Sequence, residues 1–153
     1  MQDFKRWLYK GGRPNTLARL LNGFWGLVHA TGVAPDYLVT LEVTGHRTGR
    51  AISFPLVLIV LDGDRFLIAM MGTESAWVRN VRAADGQAVL RHGRTEQVQL
   101  VEVPVEQRSR ILKLYLQRAP GARPHIPVDK DAPVEAFDAI AAEYPVFRVA
   151  VVS

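Results

Sequence analysis

The sequence has no cysteine, and that absence excludes disulfides, thiolate metal sites and a cysteine nucleophile together. Histidine is scarce. His29, His46, His92 and His125 are scattered, and no two share the helical spacing that brings imidazoles to one metal. No metal site is expected. The longest apolar run, Phe54–Leu61, is far too short to span a bilayer. No G-x-G-x-x-G opens a helix after a strand, no G-x-x-x-x-G-K-[ST] phosphate loop occurs, and no G-x-S-x-G elbow is present. Basic and aromatic residues do not interleave as they do on a single-strand platform, so nucleic acid is not an expected partner. Internal repeats and low-complexity tracts are also missing.

What is present suits one domain. A chain of 153 residues can bury about two-thirds of its unfolded surface around one core, so residues 1–153 are expected to form one unit, with 1–34 as a helical segment packed on it. The net charge of +4 and a pI near 9.8 favour anionic partners. Lys5 and Arg6 precede the apolar stretch Leu17–Val33, but Asn22 and His29 interrupt it and Arg13 and Arg19 lie within or beside it. A signal peptide would have a cleaner apolar core, so the segment reads as mature and the protein as cytoplasmic.

The periodicity changes along the chain. Phe4, Trp7 and Leu8 alternate with Lys5, Arg6 and Lys10 as on a short amphipathic helix. Such a helix either packs on the domain or rests, over residues 4–13, in an anionic lipid interface. Pro14 opens a second helix carrying Leu17, Leu20, Leu21, Phe24, Leu27 and Val28 on one face, closed by Gly32 and Pro35. Strands are expected at Tyr37–Thr44, Ile52–Leu61, Arg65–Met71, Ala88–Arg91, Thr95–Val103 and Val146–Val152. Asp62-Gly63 is a strong two-residue hairpin signal, and His92-Gly93 marks another turn. Helices are expected at Glu74–Ala84, Val105–Gln117 and Val134–Glu143, with a proline-rich loop over Arg118–Pro133. The order predicts an α+β fold: a mainly antiparallel sheet of about six strands, closed as a barrel or sandwich, with N-terminal helices and one inserted helix.

Three features suggest a site. Residues 44–50 read T-G-H-R-T-G-R. Gly45 and Gly49 permit positive φ and open backbone amides, while Arg47 and Arg50 supply forked cationic donors. A solvated hairpin tip accounts for the stretch equally well. Pro55 cannot donate to a ladder, so it marks an edge, with room for a planar ligand, or a bulge that curves the barrel. Finally, Gly72 leads into a helix whose Trp77, Asn80, Val81 and Ala84 share one face, with Arg79 and Arg82 turned away. Trp77 alone reads as core. An asparagine on that apolar face points to a site instead.

Together, G-H-R-T-G-R, the proline-bearing strand, G-x-x-S-x-W-V-R-N-V-R-A-A and the hairpin strand that follows resemble the deazaflavin (coenzyme F420)-dependent nitroreductase family. The resemblance is close over residues 37–103, and the element order carries it across the chain. It implies a split β-barrel of the FMN-binding-like kind and a reductase that passes a hydride from reduced coenzyme F420 to a conjugated carbonyl, quinone or nitro compound. By position it implies that Arg47, Thr48 and Gly49 meet the phosphate-bearing tail. Phe54, Pro55 and Leu56 would then lie along the cofactor, with Met70, Met71 and Gly72 near its ring and Trp77 and Asn80 holding ring or tail. Where the family often has Pro-Arg, this chain has Ala51-Ile52, so one phosphate contact is either missing or replaced by Arg50. In place of the tyrosine-rich substrate helix of family nitroreductases, it offers Tyr115. The proton that follows the hydride could come from Tyr115, Tyr144 or solvent. Two other readings share these residues: an FMN-dependent reductase or oxidase of the same fold, and a non-catalytic cofactor or lipid carrier at a membrane. Either a monomer or a homodimer is compatible with the sequence.

Overall fold

A computed structural model describes residues 38–45 and 48–152. The two helices expected near the N-terminus, the expected lipid contact over 4–13, and Arg47 lie outside the described residues. Six strands are present: β1 (Leu38–Thr44), β2 (Ala51–Leu61), β3 (Asp64–Ile68), β4 (Gln87–Arg91), β5 (Thr95–Glu102) and β6 (Val146–Val151). They close into a barrel in the order β1-β2-β3-β6-β5-β4, and every pair is antiparallel. One helix, α1 (Ala76–Ala83), is inserted between β3 and β4, and a second, α2 (Ser109–Arg118), follows β5.

Alternation along the strands builds two cores. Val39, Leu41 and Val43 of β1, Phe54 and Leu58 of β2, Leu67, Leu90, Val98, Leu100, Phe147 and Val149 fill the barrel, and α1 adds Trp77, Val78 and Val81 to the same cluster. Ile59, Phe66, Ile68 and Val146 face outward and are covered by Ile111, Leu112, Tyr115 and Leu116 of α2, with Phe137 and Ala141 from the segment after it. Asp62 and Gly63 both take positive φ, 54° and 82°, as the expected hairpin turn requires. Near that end of the barrel, Arg65 donates a fork to Glu96 at 2.9 and 3.1 Å.

Three expectations need correction. β3 stops at Ile68, short of Met71. The Ala69 amide adds one more rung to the β3–β6 ladder, donating to the Pro145 carbonyl at 3.0 Å, but Pro145 has no N–H to return the bond, and Gly72, at φ 87°, turns the chain away. The helix expected from Val105 opens as a 3₁₀ turn, Val105–Gln107, with α2 beginning at Ser109. The helix expected over Val134–Glu143 is two separate 3₁₀ turns, Val134–Phe137 and Ala141–Glu143. Buried Phe137 and Ala141 keep helical spacing, but short turns anchored by tertiary contacts satisfy it without the cost of nucleating a continuous α-helix. The loop expected over Arg118–Pro133 also contains a 3₁₀ turn, Pro120–His125.

Antiparallel pairing brings the end of β1, the start of β2, the end of β3, the start of β4, the end of β5 and the start of β6 to one end of the barrel. The 44–50 connection, the Ala69–Ser75 segment and α1 therefore gather there.

Candidate functional site

The site is built where β2 and β3 part. Throughout its length β1 pairs with β2, from Leu38↔Val57 to Thr44↔Ala51, without a slip. β3 pairs with β2 only from Leu58↔Leu67 to Leu61↔Asp64. Among the described residues, Ala51–Val57 is thus paired on the β1 side alone. Pro55 sits in that half, opposite Thr40. The unbroken register rules out a bulge and leaves the edge reading of Pro55. Continued past its last pair, the β2–β3 register would set Leu56 opposite Ala69 and Pro55 opposite Met70. There the chain after Ile68 stays with β6 and then turns at Gly72, so among the described residues β2 and β3 part.

The strand alternation divides the expected lining. Phe54 is 1% exposed inside the barrel, so its side chain is committed to the core and only its backbone can face a ligand there. Leu56 packs partly on the same interior cluster, while Pro55 lies half-buried on the other face. Met70, Met71 and Gly72 are half-buried across the opening. Gly72 is required by conformation and by space: at its positive φ, an added Cβ would lie 3.3 Å from the Glu143 carbonyl oxygen.

The segment then enters α1. Ser75 is its N-cap residue but makes no side-chain cap; its hydroxyl donates to the Gly72 carbonyl at 2.7 Å. No acidic residue occupies the first turn. The positive end of the helix is therefore not neutralised by its own N-cap side chain, a favourable setting for an anion. Trp77 is 5% exposed and lies 5.5 Å, ring to ring, from Phe147 at a tilt of 57°, so most of its bulk serves the barrel. Asn80 is 3% exposed and is not without a partner. Arg79 and Arg82 point away from that face and pair with Glu74 and Glu102.

The basic hairpin differs in detail from the expectation. Only Gly49 has positive φ, at 72°. Gly45 is needed for room, because a Cβ there would meet Ile52 Cδ1 at 2.8 Å. Neither amide is open: Gly45 donates to the Arg50 carbonyl at 2.6 Å and Gly49 to the Gly45 carbonyl at 2.9 Å. Those two glycine amides are therefore not offered to a ligand, and the described side chains are what remain. Thr48 and Arg50 are exposed, with Thr48 Oγ1 accepting from the Arg50 amide at 3.3 Å.

Tyr115 stands apart from these residues. It is 4% exposed, in the cluster between α2 and the barrel wall, and burial pushes its hydroxyl pKa up. The Tyr144 hydroxyl donates to the His125 carbonyl at 2.8 Å, and its pKa is also raised, chiefly by burial and further by Glu143. Two contributors were missed from sequence. Ser75 was legible, as a cap-type residue directly before a helix. The Glu143 carbonyl carried no sequence signal. A depression of about 540 Å³ along the barrel wall, bordered by Phe66, Arg110 and Arg148, shares no residue with this site. Among the described residues no helix is long and apolar enough to cross a membrane, and no group of acidic and histidine side chains could hold a metal.

A family model described as F420H(2)-dependent quinone reductase matches residues 19–137. Solved structures share the fold. One, described as an F420-H2 dependent reductase, is 20% identical, covering 77% of this chain and 97% of its own, with a TM-score of 0.51. A domain-swapped dimer is 18% identical, covering 90% and 100%, with a TM-score of 0.53. A conserved hypothetical protein from Mycobacterium tuberculosis is 18% identical, covering 78% of each chain, with a TM-score of 0.52. No curated protein matches.

Proposed function

We propose a site from a family premise: the chain belongs to the F420H(2)-dependent quinone reductase family. It is an oxidoreductase that reduces quinones or similar electrophiles at the expense of reduced coenzyme F420. That cofactor supplies the hydride when bound, which leaves the protein to bind, orient and exclude water. Coenzyme F420 replaces the FMN alternative, and an enzyme replaces the non-catalytic carrier.

The residues present fit an elongated anionic molecule with a planar head. Arg50 and Thr48, joined by Arg47 and Gly49, would hold the charged tail, where guanidinium groups make charge-assisted bonds to phosphate. The uncapped first turn of α1 would hold a further anionic group. Pro55, Leu56, Met70, Met71 and Gly72 would form the drier border for the head, with the backbone of Phe54 beside them. Asn80 would supply hydrogen bonds from the face it shares with Trp77. Tyr115 is the substrate residue that fits least, because its ring is spent on the second core. Neither tyrosine is placed to give the proton that follows the hydride: Tyr115 is buried in the second core and the Tyr144 hydroxyl already donates to the His125 carbonyl. We assign the proton to solvent entering where, among the described residues, β2 parts from β3.

The observation that carries this reading is the parting of β2 from β3 beside an uncapped helix start. Titration should show coenzyme F420 binding more tightly than FMN, and reduced coenzyme should lose its hydride to menadione. Tighter binding of FMN would contradict the assignment of the charged donors. Two further parts of the proposal concern surroundings. Residues 4–13 would touch anionic lipid, which vesicle co-sedimentation tests, in a cytoplasmic protein. Assembly as a homodimer, tested by sedimentation velocity, follows the solved structure that is a domain-swapped dimer.

A further inference from the structure

Glu102, the last residue of β5, is no part of the candidate site, yet both flanks of that site lead back to it. Its carboxylate accepts a fork from Arg82 of α1, Nε at 3.1 Å and Nη2 at 2.9 Å. The same carboxylate accepts from Arg108 Nη2 at 3.0 Å. Arg108 is 4% exposed, and its other nitrogens donate to the carbonyls of Val103, at 2.8 Å, and Ala141, at 3.0 Å. Ala141 begins the 3₁₀ turn Ala141–Glu143, and the carbonyl at the end of that turn limits the space at Gly72.

The Ala69–Ser75 segment is therefore held from two sides. Its exit is α1, tied to Glu102 through Arg82. Its floor is the Ala141–Glu143 turn, tied to Glu102 through Arg108. A buried guanidinium needs acceptors for its donors and a countercharge, and Glu102 is that countercharge. Arg82 differs, with a side chain 46% exposed. An exposed ion pair adds little to stability, whereas a forked one fixes direction. Direction is what a helix start over a ligand requires.

We propose that Glu102 is a positioning residue for the cofactor site. Through Arg82 it sets the height of α1 over the opening between β2 and β3, and through Arg108 it sets the turn beneath Gly72. This rests on the site reading given above and adds to it a contact set outside the site.

The test uses Arg82→Leu and Arg82→Lys in the full chain, titrated with oxidised coenzyme F420, alongside Arg50→Ala and Asn80→Ala. Arg82→Leu should raise the coenzyme Kd about fivefold or more, while moving the apoprotein Tm by no more than about 2 °C. Arg82→Lys, which keeps the charge and loses the fork, should recover part of the affinity. A Kd for Arg82→Leu within about twofold of wild type overturns the proposal. So does a large fall in apoprotein Tm with affinity preserved, which would give Glu102 to the fold alone. If Arg50→Ala and Asn80→Ala weaken binding and Arg82→Leu does not, the site stands and the positioning role fails. If none of the three changes Kd, the site reading fails with it.

Discussion

Pro55 faces Thr40 across a β1–β2 register that never slips between Leu38 and Thr44. A residue without an N–H sits there because nothing described pairs with the other side of that half-strand. Pro55→Val should therefore cost no more than about 1 kcal/mol, mostly through the freer unfolded chain, as read by urea denaturation. A loss of several kcal/mol would mean that the proline supports the barrel in some other way.

Gly86 and Gly63 both have positive φ, 83° and 82°, but only one is crowded. A Cβ on Gly86 would lie 2.4 Å from the Leu100 carbonyl oxygen, whereas one on Gly63 would meet nothing within 4 Å. Gly63→Ala should cost about 1 kcal/mol of backbone strain. Gly86→Ala should cost about 2–4 kcal/mol, because the turn after α1 must also move away from β5. Equal costs in chemical denaturation would contradict this packing.

Much of this was legible beforehand because it depends on periodicity and turn chemistry. The alternation of Val39, Leu41 and Val43, the Asp62-Gly63 turn and the helical spacing around Trp77 and Val81 each follow from local rules, and each appears in the fold. The closure of the barrel follows only as a class, since barrel and sandwich share those signals. What was not legible depends on distant partners. β3 ends early because its next partner on β6, far along the chain, is Pro145, which accepts from the Ala69 amide but has no N–H to return. The segment 134–143 forms two 3₁₀ turns where helical spacing suggested one helix. Tyr115 had suitable chemistry for a substrate residue, but its position on α2 buries it. Gly45 is a matter of crowding by Ile52, which no local rule reveals.

Acid should expose the Arg65–Glu96 pair. The Arg65 guanidinium holds the Glu96 carboxyl below the usual carboxylate range, against a smaller opposing effect of burial. A carboxylate depressed in the fold stabilises it above the unfolded pKa of about 4.3, and that contribution is lost as pH falls toward the folded value. Glu96→Gln should thus have a lower Tm than wild type near neutrality, with the gap closing as pH falls below about 4.3. A gap that stays constant over that range would show that the pair contributes no charge-dependent stability.

Arg47→Ala should weaken coenzyme binding by about 1.5–3 kcal/mol if the guanidinium meets an anionic tail. Its effect on the apoprotein melt should be small if the guanidinium is solvated without the coenzyme, since surface charges contribute little. Isothermal titration separates the two quantities. An unaltered Kd would return the 44–50 connection to a solvated hairpin tip.

The most direct measurement is a map of backbone amide shifts during titration of the full chain with oxidised coenzyme F420. The account predicts that the largest perturbations fall on Thr48–Arg50, on Phe54 and Leu56 beside Pro55, on Met70–Gly72 and on Ala76–Asn80, all at the end of the barrel where β2 leaves β3. Saturable shifts concentrated on Phe66, Arg110 and Arg148 along the barrel wall, with those segments silent, would contradict it.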